Sequence, residues 1–317
     1  ISMAPDVGTS TNLNPAMDGK IFGATVVPHF EDEFGVKDDK LPDLVPGEEV
    51  SDRYLRFEIA EGNVMSCMGS FGKLRDILGI PILPLMTVYD FFIKRALDQY
   101  FYELYWKSSF ILVGTPSGVT LSPEGAQHGW KSDIQIPNQI TWEPLYGIEL
   151  DWILCDAIRR HMTNDNQGRS GVLIRGVTRG IEQKELMLQL KKQMRFQEQS
   201  EEQILNTLKS EVLQGGYYLV DYRGYADYSP GDNVVHIIAM GSPTTEAIKA
   251  SEALLSMGIY ANVIVVTSSD LICGIQGHEN DYTYLKQYLG INANLFIKDN
   301  GGLTTPEINT LAGQRIP

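Results

Sequence analysis

The chain is poor in cysteine, in basic residues and in long apolar runs. Its cysteines, Cys67, Cys155 and Cys273, are odd in number and far apart in 317 residues. That excludes a disulfide framework and fits a reducing, cytoplasmic setting. Together with five histidines they show no zinc spacing. Lys and Arg total 26 against 40 Asp and Glu, a net charge of −14. This balance excludes a general nucleic-acid or anionic-membrane binder, so any phosphate site must be local. The apolar run at 80–86 (IPILPLM) is short and broken by two prolines, and nothing in the chain approaches a membrane span. There is no signal-peptide pattern, internal repeat or low-complexity tract. Gly69-Ser70-Phe71-Gly72-Lys73 lacks the spacing of a phosphate loop, and Gly114-Thr115-Pro116-Ser117-Gly118 is not a nucleophile elbow.

What is present is an alternation of short apolar runs and amphipathic stretches. The length suits two ordinary domains. Residues 80–88, 110–115, 136–144 and 171–179 read as strands bounded by Gly or Pro. Residues 89–106 read as an aromatic-rich helix, and 149–162 as an amphipathic one with Leu150, Ile153, Leu154, Ala157 and Ile158 on one face. Such alternation implies α/β domains with mostly parallel sheets covered by helices. Residues 28–52, acidic and Pro-rich, read as an exposed excursion. Residues 182–215 read as a helical connector, with Ser200 and Gln203 as a capping box and Gly215-Gly216 as its stop. Beyond it, 217–220, 234–239 (expected buried) and 263–266 are strands, and Ser242-Pro243 starts a helix that Gly258 ends. The chain opens on Ile1-Ser2-Met3 and is expected to be part of a longer product.

The most informative stretch is 53–69, RYLRFEIAEGNVMSCMG, centred on Glu61. With Ile59 and Ala60 before it and Val64 and Met65 after it, the carboxylate is expected to be poorly solvated and its pKa raised. That produces an acid able to share a proton with a weakly basic ring nitrogen. The plainer alternative is a helix-start carboxylate facing the positive end of the dipole.

Glu58-Ile59-Ala60-Glu61 resembles the Gly-Ile/Val-x-Glu segment that enters a helix in the pyrimidine-binding domain of thiamine diphosphate enzymes of the transketolase superfamily. Asp6-Val7-Gly8-Thr9-Ser10-Thr11-Asn12 resembles that domain's opening loop. The segment 122–128, SPEGAQH, resembles the Glu-Gly-Leu-Gln-His segment of single-chain pyruvate dehydrogenase E1 components, and also the Asp-Gly-Pro-Thr-His segment of transketolases. The resemblance runs in order over nearly the whole chain.

It implies a transketolase-like pyrimidine-binding domain at 1–181, a connector at 182–216 and a transketolase C-terminal-like domain, incomplete, at 217–317. It implies thiamine diphosphate as cofactor. Glu61 would bond the pyrimidine ring nitrogen and favour its imino tautomer, with Asp6, Val7, Val88 and Phe91 around the cofactor. Ser10, Glu124, Gln127, His128 and Arg179 would contact substrate. Among these, His128 would protonate or polarise the substrate oxygen, and Arg179 would grip an anionic group. The family's Gly-Asp-Gly … Asn-Asn signature for Mg²⁺ and diphosphate is missing; Gly231-Asp232-Asn233 does not complete it.

The diphosphate and Mg²⁺ are therefore expected on an N-terminal segment or separate subunit. The complete protein is expected to be a homodimer, with an acyltransferase E2 component as a further partner if the activity is of the dehydrogenase type. The activity implied first is that of the E1 component of a 2-oxo acid dehydrogenase, with transketolase as the alternative. A non-catalytic paralogue that keeps the fold for assembly is the reading from another class.

Overall fold

Apolar runs closed by Gly or Pro become strands buried on both faces, and here they assemble into parallel sheets. A computed structural model of the chain describes residues 1–5, 8, 11, 13, 16, 20–21, 49–50, 54–57, 59–116, 138–163 and 171–273. The first strands are β1 (Ser2–Ala4), β2 (Lys20–Ile21), β3 (Glu49–Val50) and β4 (Tyr54–Arg56). Helix α1 (Glu61–Leu78), β5 (Leu85–Tyr89), a 3₁₀ helix (Asp90–Ala96) and α2 (Leu97–Tyr105) follow. Next come β6 (Phe110–Thr115), β7 (Gln139–Trp142), α3 (Gly147–Met162) and β8 (Gly171–Arg175). A six-stranded, wholly parallel sheet runs in the order β4-β1-β5-β6-β8-β7. Strands β2 and β3 form a separate parallel pair.

The chain continues through α4 (Lys184–Lys192), a 3₁₀ turn (Met194–Phe196) and α5 (Glu201–Leu213) to β9 (Gly216–Val220). Then follow β10 (Val234–Ala239), α6 (Thr244–Leu255), β11 (Tyr260–Val266) and α7 (Ser269–Cys273). The second sheet runs β10-β11-β9, with β10 parallel and β9 antiparallel to β11.

Strand alternation splits the core into two layers. Phe110 and Leu112 of β6 join Met3, Val64, Met65, Met68, Met86 and Val88. Ile111 between them joins Ile140, Trp142, Ile153 and Ile174, and that layer continues without a break to Leu208, Val212, Leu219 and Val263 beneath the second sheet. Polar contacts lock the two sheets together along the β7 edge. Asp270 accepts from the Thr141 amide at 2.6 Å, and the Glu143 amide donates to the Thr267 carbonyl at 2.8 Å. The Tyr217 hydroxyl donates to the buried Glu149 carboxylate at 2.5 Å. The Asp270 carboxylate thus takes up the Thr141 amide of the edge strand β7, a backbone donor that another strand would otherwise need.

The strand at 110–115 and the Ser200/Gln203 capping box stand where the sequence puts them; the box closes at 3.3 and 2.9 Å. Several expectations are corrected. The strand read at 80–88 is Leu85–Tyr89, because Pro81 and Pro84 cannot donate to a ladder. Of the strand read at 136–144, the described residues show Gln139–Trp142 as strand, with 136 and 137 outside them, and the helix read at 89–106 begins as a 3₁₀ helix. The connector read as helical consists of two helices. Gln193 turns extended (ψ 134), and its buried amide donates to the Tyr218 and Leu219 carbonyls, lacing the break to β9. Strand β10 is not buried: Val235 and Ile238 are exposed, since β10 is the edge of its sheet among the described residues. An apolar run by itself does not distinguish an edge strand from a central one.

Helix α1 approaches the start of β6 closely at Gly72. A Cβ there would stand 2.4 Å from the Ser109 carbonyl oxygen. Gly72→Ala should therefore destabilise the protein by about 1–3 kcal/mol despite alanine's better helix propensity. Urea denaturation tests this, and an unchanged midpoint would show that the helix can slide away from β6.

Candidate functional site at the carboxyl edge of the sheet

In a parallel sheet every strand delivers its following loop to the same edge, where α/β folds place ligands. Across that edge, among the described residues and in sheet order, lie Glu61 after β4, Asp90 and Phe91 after β5, Arg175 at the end of β8, and Glu143 after β7. By strand spacing, β4 and β5 lie roughly 10 Å apart, and β4 and β8 roughly 19 Å. Asp6, Val7, Ser10, Glu124, Gln127 and His128 lie outside the described residues. Near the first group, Thr11 hydrogen-bonds the hydroxyl of Thr87 on β5 at 2.7 Å.

Glu61 is the first residue of α1. Ala60 before it is non-helical (φ −148, ψ 52) and offers no side-chain cap, so the carboxylate sits at the positive end of the helix dipole. It is 4% exposed. Its partner is a cation: Arg95 Nη1 donates to Glu61 Oε1 at 2.8 Å. The Arg95 guanidinium in turn lies 3.8 Å from the centre of the Phe92 ring. Phe92 meets Tyr89 and Phe91 edge-on, with centroids 5.7 and 6.1 Å away. The expected apolar enclosure is therefore corrected. Ile59 is 70% exposed and encloses nothing, while Val64 and Met65 pack into the core. Sequence reasoning missed Arg95. The available signal was an arginine within one helical segment of the aromatic pair Phe91-Phe92.

Val88 is fully buried among Met3, Met65 and Met86, a core side chain rather than one at the sheet edge. Phe91 is half-buried at the start of the 3₁₀ helix, with Lys94 Nζ 5.2 Å from its ring centre. The strand read as reaching 179 stops at Arg175. Arg175 is 1% exposed and pairs with buried Asp90 across β6, Nη2 to Oδ1 3.5 Å. Gly114 on β6 leaves room for this pair, since a Cβ there would stand 2.9 Å from Asp90 Oδ1. A charge closing an apolar run was the signal for Arg175.

Arg179 lies past the strand end, 44% exposed, and pairs with Glu246 of α6 at 3.3 Å. Exposed pairs of this kind contribute little, so Arg179→Ala should leave Tm almost unchanged. A larger fall in Tm than that implies would mark the pair as part of how the two sheets hold together.

No protein-family model matches the chain, and no curated protein does. Among solved structures the fold is that of transketolases. A point mutant of transketolase from Pichia stipitis matches at TM-score 0.56 and 17% identity, over 90% of this chain and 34% of that one. Transketolase from Leishmania mexicana matches at TM-score 0.55 and 16% identity, over 100% of this chain and 43% of that one. Transketolase from Campylobacter jejuni matches at TM-score 0.52 and 14% identity, over 91% of this chain and 35% of that one. The chain thus spans about a third to two-fifths of the length of these structures, and at such identities the likeness is one of fold.

Proposed function

We propose that this chain supplies the pyrimidine side of a thiamine diphosphate site, in an enzyme that breaks and re-forms a carbon–carbon bond beside a carbonyl, as transketolases do. The observation that carries this reading is the Glu61 carboxylate: nearly buried, at the carboxyl edge of a transketolase-like sheet, and linked through Arg95 to the aromatic group Phe92, Tyr89 and Phe91. These residues fit an aminopyrimidine ring, which needs a carboxylate for its ring nitrogen and an apolar surface for its face. Among the described residues no group of three or more His, Cys, Asp or Glu could hold a metal ion. In this proposal Mg²⁺ and the diphosphate are held by an N-terminal segment or subunit, and the complete protein is a homodimer. Residues 1–181 form the pyrimidine-binding unit, 182–216 the connector and 217–317 the C-terminal unit.

When bound, the cofactor supplies a carbon nucleophile and an electron sink for the bond cleavage. Glu61 holds and shares the proton on the pyrimidine nitrogen, and Phe91 packs against the ring. Ser10, Glu124, Gln127 and His128 bind and orient substrate, with His128 moving a proton at the substrate oxygen. Arg179 faces an anionic substrate group once it is released from Glu246. A second reading, the E1 component of a 2-oxo acid dehydrogenase working with an acyltransferase, is favoured by the segment Glu124-Gly125-Ala126-Gln127-His128.

The test is a turnover panel of ketose phosphates, pyruvate and other 2-oxo acids on the complete protein, with calorimetric titration of thiamine diphosphate in Mg²⁺. Turnover of ketose phosphates is expected, with pyruvate turnover pointing to the second reading. Absence of cofactor binding would support the non-catalytic paralogue instead.

A further inference from the structure

We infer that Arg95 is the positioning residue of Glu61, anchoring one carboxylate oxygen so that the other is presented to the ligand. The inference rests on the cofactor reading above. Arg95 takes Oε1 at 2.8 Å, and no second hydrogen-bond partner of the Glu61 side chain is found among the described residues. A nearly buried carboxylate with one oxygen anchored and one open is half of a donor-binding site. The anchor is itself held, because the guanidinium lies flat enough on Phe92 to place its carbon 3.8 Å from the ring centre. A planar, delocalised cation stacked on an aromatic ring loses little freedom when it binds a carboxylate.

The segment that carries Arg95 supports the same role. The 3₁₀ helix Asp90–Ala96 is seven residues long, where such runs rarely exceed three or four. It is pinned at both ends by ion pairs: Asp90 to Arg175 at its start, and Arg95 to Glu61 at its end. Phe91 and Phe92 lie between the two pins. One element thus fixes the distance between the aromatic surface and the carboxylate, which is the geometry that a ring sandwiched between them requires. Both ends of the assembly lie at the same sheet edge, because β5 and β8 are parallel and flank β6.

The experiment uses the complete protein and the variants Arg95→Met, Arg95→Lys and Glu61→Gln. In the unloaded protein, Arg95→Met should lower the urea midpoint, and adding Glu61→Gln should restore part of the loss, since an amide needs no cation. In the protein loaded with thiamine diphosphate and Mg²⁺, the readout is hydrogen–deuterium exchange at the thiazolium carbon. Arg95→Met should slow it by about 10–100-fold, the size typical of orienting partners, with cofactor affinity falling much less. Arg95→Lys should recover part of the rate, because it returns the charge without the planar fork. If Arg95→Met does not fold, Arg95→Lys alone carries the test, and exchange at the wild-type rate in it overturns the inference. If Arg95→Met exchanges as fast as wild type while Glu61→Gln is slow, the inference fails and the cofactor reading stands. If neither variant slows exchange, the reading of Glu61 fails and takes the inference with it.

Discussion

Glu61→Gln should slow hydrogen–deuterium exchange at the thiazolium carbon of the loaded complete protein by roughly 10²–10⁴-fold, the range for a positioned acid–base group. The two side chains are nearly isosteric, and the amide oxygen can still accept from Arg95, so the helix start and the 3₁₀ segment should keep their places. What the amide lacks is an exchangeable proton of the right acidity at the open oxygen. Cofactor affinity should fall far less than the rate, because the aromatic surface of Phe91 is untouched. Exchange at the wild-type rate would reduce Glu61 to a helix-start carboxylate paired with a surface arginine. The proposal would then lose its centre, though the fold would be unaffected.

Arg175→Ala is expected to have the largest effect on stability, a loss of about 3–5 kcal/mol by urea denaturation. Arg175 and Asp90 are both almost wholly withdrawn from water. Removing the cation leaves a buried carboxylate without this partner, and hydrating it would require opening the sheet edge. Arg175→Met should cost less than Arg175→Ala, because it keeps most of the buried volume, and Asp90→Asn in the Arg175→Met background should return part of the loss. A loss below about 1 kcal/mol for Arg175→Ala would show that other groups around Asp90 carry its charge. In that case the Asp90 end of the 3₁₀ segment would not depend on this ion pair.

Much of the fold is legible along the chain because burial on both faces leaves a local mark. The run at 110–115 is apolar throughout, and it is a central strand. Ser200 and Gln203 stand three apart, and they close a box whose geometry depends on four residues only. Where the reading fell short, the deciding contact lay elsewhere in the chain. The run at 234–239 is as apolar as the one at 110–115, yet its side chains are largely exposed, because its place in the sheet is set by neighbours far away in sequence. The break at Gln193 is likewise invisible locally, since the carbonyls that draw its amide in belong to Tyr218 and Leu219.

The candidate site divides along the same line. By itself the sequence determined that a carboxylate, Glu61, begins a helix, and that an aromatic pair follows the next strand. Periodicity and end signals are properties of neighbouring residues, and they survive without knowledge of the whole. Only the tertiary structure decided that Arg95 faces Glu61, that Arg175 faces Asp90, that Val88 belongs to the core, and that Arg179 leans on Glu246. Each of these depends on strand order. A parallel sheet brings together loops that are remote in the chain, and a charged side chain carries no mark of which loop will be its neighbour.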